Sequence, residues 1–160
     1  MPDDLLPVEV LTELGRVTWA AILLEDYTED LCSSIDPTNP RTDKRPISQK
    51  INDAKKVLNG WPVSRVRDNA IAWLERVSYA IGKRNAAFHA EPIVRVGGSD
   101  DGQLLLGETP RANRLYAERP LTVESLSVLR FALENASSEW ADIHVAVMAE
   151  SQRQARPDRV

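Results

Sequence analysis

The sequence has one cysteine, two histidines and no long apolar run, and each scarcity excludes a class of protein. Cys32 alone cannot form an intrachain disulfide, which favours a reducing compartment. Together with His89 and His144 it is too small a ligand set for a structural zinc site. The longest apolar run, WAAILL (19–24), is far too short to span a bilayer. With neither a Walker A loop nor a dinucleotide fingerprint, the chain is expected to need no metal or cofactor and to have no membrane partner.

The bulk composition is that of one ordinary globular domain. The chain has 160 residues, of which 42% are hydrophobic and 28% are charged. The first ten residues, MPDDLLPVEV, are acidic and lack the basic and apolar regions of a secretory signal, so we expect a cytoplasmic protein. We predict a single domain over residues 1–150 and a polar tail, 151–160, that frays.

The net charge of −4 hides an asymmetry along the chain. Residues 1–30 hold eight acids against Arg16 alone, whereas residues 41–89 hold eleven bases against four acids. Two solvated faces that happen to differ would explain this pattern. Alternatively, the middle of the chain meets something anionic. The acidic total argues against strong, indiscriminate binding to nucleic acids.

Apolar residues at steps of three and four predict a first helix from about Val8 to Ile35, which the proline-rich segment 36–46 ends. A second, shorter helix is capped by Ser48 and stops at Asn59–Gly60. The apolar row of the first helix consists of Val10, Leu14, Val17, Ala21, Leu24, Leu31 and Ile35.

The same spacing predicts a third helix from about Pro62 to Ala90 and a last helix that Thr122 and Ser125 cap. Their apolar rows are Val66, Ala70, Trp73, Leu74, Val77, Ile81 and Phe88, and Leu126, Leu129, Leu133, Ala136, Trp140, Ile143 and Val147. Because Trp73 and Trp140 fit these rows, and only Trp19 is expected to be exposed, the tryptophans do not indicate a base-stacking platform.

A short β-hairpin is predicted between the third and last helices. IVRV (93–96) and QLLL (103–106) flank GGSDDG (97–102), which supplies the turn, and 107–121 follows as an extended connection. The predicted fold class is therefore all-α: an antiparallel helical bundle of about four main helices with a hairpin before the last one.

The end of the third helix, GKRNAAFHAEP (82–92), carries polar residues where the pattern calls for apolar ones. Arg84 falls on the apolar row, and Asn85 and His89 stack one turn apart. Burying such polar and charged side chains without hydrogen-bond partners costs on the order of several kcal/mol. The pattern therefore favours a position at a cleft or a subunit interface. A wetter helix end with an ordinary cap is the competing interpretation.

RNAAFH (84–89) resembles the R-x4-6-H motif of the HEPN superfamily, including that family's Asn, Asp or His after the Arg. The layout of a long first helix and a motif near the end of a later long helix is also similar. The resemblance implies a metal-independent endoribonuclease that acts as a homodimer, with two motifs facing each other at a composite site. Such proteins are toxins or anti-phage effectors, which implies a possible antitoxin or sensor as a partner.

By this resemblance His89 would take the proton of a ribose 2′-OH, Arg84 would stabilise the charged transition state, and Asn85 would orient His89 or the phosphate. Lys83 could assist in binding RNA, although we favour a solvated Lys. Glu91 stands where one toxin group has Tyr, and it would repel RNA if it faced the site. A catalytically silent HEPN-like dimerisation or nucleotide-binding module, and an unrelated helical protein, are the alternatives.

Glu25 on the first helix has two interpretations as well. It could pair with Arg84 and hold the guanidinium, or it could be a solvated residue on a strongly acidic helix. The sequence favours the solvated interpretation.

Overall fold

The structure, a computed structural model, describes residues 7–38, 40–42, 44–88, 91–94, 104–107, 119–120 and 122–155. Its elements are α1 (Val8–Ile35), α2 (Ile47–Asn59), α3 (Arg65–Phe88), β1 (Glu91–Val94), β2 (Leu104–Gly107), β3 (Arg119–Pro120) and α4 (Val123–Gln154).

The predicted helical bundle is confirmed, and its core lies where the apolar rows of the helices meet. Trp73, at the centre of α3, is fully buried, and its indole N–H donates to the Ala136 carbonyl of α4 at 2.8 Å. Trp19 is 64% exposed, as expected. The buried members of the predicted rows are Val10, Val17, Ala21, Leu24, Leu31, Ile35, Ala70, Trp73, Leu74, Val77, Ile81, Leu126, Leu133, Ala136 and Val147.

The long helices α1 and α4 run parallel, which corrects a purely antiparallel bundle. Near the start of both helices, Ser127 donates to Glu13 at 3.1 Å. Near the end of α1, the Ser34 hydroxyl lies 2.9 Å from His144 Nε2, so contacts advance along both helices together. α3 is antiparallel to α4. The first turns of α3 lie beside residues 142–146 of α4, and its later turns lie beside residues 132–139.

The predicted start of α3 at Pro62 is wrong. The helix begins at Arg65, because the Ser64 hydroxyl accepts the Arg67 backbone N–H at 3.2 Å and so takes the capping role. The row prediction is also wrong at Phe88, which is 41% exposed at the last turn of α3.

Of the capping predictions for the other two helices, the one for α2 is wrong and the one for α4 is confirmed. Ser48 does not cap α2, since Pro46 occupies the N-cap position and no side chain bonds there. Thr122 and Ser125 do form a reciprocal capping box at the start of α4. α4 continues to Gln154, four residues into the segment that was predicted to fray.

The backbone between α3 and α4 includes three short strands. β1 pairs with β2 antiparallel, with Glu91 opposite Gly107 and Val94 opposite Leu104. β3 adds to β2 through Leu106 and Arg119, inside the segment that was expected to be only an extended connection. Residues 95–103, which hold the proposed turn, lie outside the described residues, so the hairpin itself stays a prediction.

None of the helices within the described ranges combines the length and the apolar character needed to cross a bilayer.

Candidate functional site at the end of helix α3

Arg84 lies near the end of α3 with its side chain 23% exposed, and it forms an ion pair with Glu25 of α1. The bond joins guanidinium Nη2 to Glu25 Oε1. The solvated interpretation of Glu25 is therefore wrong, although its side chain is still one-third exposed. Arg84 thus joins the end of α3 to the acidic second half of α1.

One hydrogen-bond donor of the Arg84 guanidinium lacks a described partner. Its Nε is buried and has no hydrogen-bond partner within the described part of the chain. Burial lowers the pKa of the Arg84 guanidinium, since a less solvated site disfavours the charged form. A buried donor without a partner is uncommon in a finished core.

Only some of the other predicted site residues are described near Arg84. Asn85 is half-buried beside Arg84, and no side-chain hydrogen bond joins it to another described residue. The Lys83 ammonium lies 5.2 Å from the centre of the Tyr79 ring, so it turns back along its own helix rather than toward Glu25. His89 lies outside the described residues, and Glu91 is described only as backbone in β1.

Bases of the basic middle segment form ion pairs with acids of α1 within the same chain. Arg41 bonds Asp26 and Asp30 of α1, and the buried Lys50 ammonium donates to Glu29 at 2.9 Å. With the Arg84–Glu25 pair, the four acids in the second half of α1 all face bases from the basic middle segment. The anionic surface that this segment meets is therefore, in part, its own first helix.

A second polar cluster joins α1 to α4 and was not found from the sequence. Glu13 is 2% exposed and accepts hydrogen bonds from Arg130 at 2.6 Å, Ser127 at 3.1 Å and Arg16 at 3.2 Å. Chiefly the Arg130 hydrogen bond, helped by Ser127 and Arg16, holds the pKa of Glu13 below its ordinary value, against the opposing effect of burial. The sequence did not distinguish Glu13, because it is one of eight acids in an acidic segment.

Two further side chains, those of Cys32 and His144, pack within the fold. Burial raises the pKa of the Cys32 thiol to about 12, which makes it a poor nucleophile, as the predicted buried hydrophobe would be. The His144 Nε2 atom shares a hydrogen bond with the Ser34 hydroxyl. The His144 ring lies against Trp140, and the Trp140 ring stacks on the Tyr27 ring with 4.5 Å between their centres.

Within the described ranges, no group of three or more His, Cys, Asp or Glu side chains is arranged to hold a metal ion. Comparison of the chain with models of protein families, with curated proteins and with solved structures finds no match. The resemblance to the HEPN superfamily therefore rests on the motif at 84–89 and on the helical layout, and it stays a prediction.

Proposed function

We propose that this protein is a metal-independent endoribonuclease of the HEPN type, a toxin or anti-phage effector that acts as a homodimer in the cytoplasm. The observation that carries the proposal is Arg84: a cation on an apolar row, mostly buried, whose Nε has no hydrogen-bond partner among the described residues. A guanidinium kept there at the cost of desolvation is suited to a phosphate, which accepts paired N–H donors.

In the proposed reaction, His89 takes the proton from a ribose 2′-OH, and the 2′ oxygen attacks the adjacent phosphorus. The bond from phosphorus to the 5′ oxygen breaks, and the leaving oxygen takes a proton from solvent. The products end in a 2′,3′-cyclic phosphate and a 5′-OH. Arg84 stabilises the charge on the phosphorane-like transition state, while Asn85 orients His89 or the phosphate.

Glu25 has two opposing effects on this proposed site. By fixing Nη2 it orients the guanidinium, and it leaves the donors of Nη1 for a phosphate. By placing a negative charge beside Arg84, however, it weakens the attraction for RNA. Within the proposal, Glu25 acts as a positioning residue.

The Arg84–Glu25 pair also favours a second candidate, a catalytically silent HEPN-like dimerisation or nucleotide-binding module. In such a module the pair would be mainly structural, joining α3 to α1. The two candidates differ in whether RNA is cleaved, and both keep a bound antitoxin or sensor as a possible partner.

The test is single-turnover cleavage of total tRNA and mRNA in EDTA by wild type and His89→Ala. We expect wild type to cleave and to leave cyclic-phosphate ends. Loss of the general base is expected to slow His89→Ala by at least about 100-fold, the usual contribution of such a group.

Thermal unfolding of both proteins serves as the control for intact folding. Equal cleavage by His89→Ala, or a strict requirement for a metal ion, would contradict the catalytic assignment. No cleavage by either protein would favour the silent module.

A further inference from the structure

The ion pair between Arg84 and Glu25 differs from the buried ion pairs of the same fold. Glu13 is 2% exposed and is held by three side chains, and the Lys50 side chain that bonds Glu29 is 3% exposed. The side chains of Arg84 and Glu25 are 23% and 33% exposed, so water and dissolved ions reach both of them. Such a pair exchanges partners more readily than a buried one, because solvent stabilises the charges that are released.

The contact between the two side chains is a single hydrogen bond. Nη2 of Arg84 donates to Oε1 of Glu25, and among the described residues neither side chain bonds any other group. An arginine can donate two parallel N–H groups to one anion, and the oxygens of a phosphate suit that arrangement. A phosphate therefore has a stronger mode of binding at Arg84 than the one that Glu25 uses.

Release of Glu25 would leave neither charge without solvation or a partner. Its carboxylate is already in contact with water, since the side chain is one-third exposed. The other acids in the second half of α1 are already paired with Arg41 or Lys50. A guanidinium that leaves Glu25 therefore meets no free carboxylate on this part of α1, and it is available to an external anion.

From these contacts we infer that Glu25 is an autoinhibitory contact: its carboxylate occupies the Arg84 guanidinium in the free protein, and an RNA phosphate binds Arg84 by displacing it. The inference rests on the proposed function in one respect, namely that the anion bound at Arg84 is an RNA phosphate. It goes further in assigning to the free protein a closed site, whose affinity for RNA is lower than that of an unpaired guanidinium. The orienting effect of Glu25 then acts on the free protein, before RNA binds.

The sign of one charge removal separates this role from positioning alone. If Glu25 mainly positions Arg84 for the phosphate, loss of its charge weakens RNA binding. If Glu25 occupies Arg84 in place of the phosphate, loss of its charge strengthens RNA binding. Because the contact acts through the guanidinium, the gain must disappear when Arg84 is removed.

The test is the RNA affinity of Glu25→Gln, which keeps the length of the side chain and removes its charge. Fluorescence anisotropy measures binding of a single-stranded RNA of about ten nucleotides in EDTA, at about 50 mM salt. All proteins carry His89→Ala, so that the RNA stays intact during the measurement. We expect Glu25→Gln to bind about fivefold more tightly than its parent, because the phosphate no longer competes with a partly exposed ion pair.

Glu75→Gln is the matched control. Glu75 is 60% exposed on α3, pairs with Lys55, and lies nine residues before Arg84, about 14 Å along the helix. Its affinity should stay within about twofold of the parent's, and Glu25→Gln added to Arg84→Gln should likewise change affinity by less than about twofold. Thermal unfolding of each variant checks that the fold is intact.

Unchanged or weaker binding by Glu25→Gln would overturn the autoinhibitory contact and leave Glu25 as a positioning residue. An equal gain in Glu75→Gln, or a gain that persists in the Arg84→Gln background, would overturn it as well, since net charge alone would then explain the effect. Failure of the proposed enzyme gives a different result: the protein with His89 does not cleave RNA, while the gain in Glu25→Gln remains. If Arg84→Gln binds RNA as tightly as its parent, the phosphate site is wrong and the autoinhibitory contact is wrong with it.

Discussion

Glu13 shows how a single residue can join two helices that are far apart in sequence. Its carboxylate is buried, but Arg130, Ser127 and Arg16 supply hydrogen bonds to both oxygens, so the charge is paired. Such a group stabilises the fold when it is ionised and destabilises it when a proton replaces those donors.

The pKa of Glu13 predicts how stability depends on pH. Because the folded-state pKa lies below the ordinary value of 4.5, the stabilisation is fully present above that value. It is lost as the pH falls from about 4.5 through the lowered folded-state pKa, since the unfolded chain binds the proton more readily. We expect Glu13→Gln to be less stable than wild type at pH 7 and to lose less stability on acidification.

Urea unfolding at pH 7 and at several values between pH 5 and pH 3 measures this difference. Glu9→Gln, an exposed acid of the same helix, is the matched control and should follow wild type. If Glu13→Gln and wild type lose stability in parallel over this range, Glu13 does not carry the pH dependence.

The same kind of capping signal was correct at one helix and wrong at another. At α4, Thr122 accepts the Ser125 backbone N–H at 3.1 Å, and Ser125 bonds back to the Thr122 N–H. At α2, Pro46 already begins the helix in a fixed conformation, and its carbonyl accepts the N–H groups of Gln49 and Lys50, so Ser48 lies inside the first turn.

This difference predicts the outcome of two alanine substitutions. Thr122→Ala is expected to lower the free energy of unfolding by about 1 kcal/mol, because it removes a capping hydrogen bond. Ser48→Ala, at an exposed position without a capping bond, should change it by less than about 0.5 kcal/mol. Urea denaturation of the two variants measures both values; a cost at Ser48 as large as that at Thr122 would contradict the assigned caps.

At the scale of elements, the sequence predicted the helices well and their directions poorly. The periodic rows of α1 and α4 identified the buried residues because burial depends on which face of a helix is apolar. The start of α3 was misplaced because Pro62 and Ser64 both suit a helix start, and only the Ser64–Arg67 bond distinguishes them. The parallel run of α1 and α4 depends on how α2 lies between long helices, which local spacing does not encode.

At the scale of the whole molecule, the charge pattern became informative only once the fold brought the segments together. The sequence identified Arg84 as an exception on an apolar row, but its partner Glu25 lies 59 residues away. Likewise, Arg41 and Lys50 could be counted as part of a basic segment, while their partners on α1 required the folded chain. Arg84 is thus partly neutralised, and any binding of RNA there must compete with Glu25.

The proposed enzyme and the proposed nucleotide-binding module both require that Arg84 at the end of α3 bind a phosphate. The most direct measurement is RNA affinity at fixed salt for wild type, Arg84→Gln and the control Arg76→Gln, which loses an exposed α3 arginine paired with Glu139. We predict that Arg84→Gln weakens binding by about 10-fold or more, as loss of a charged hydrogen bond implies, and that Arg76→Gln stays within about 2-fold of wild type. Wild-type affinity in Arg84→Gln, or equal losses in both variants, would contradict a phosphate site at Arg84.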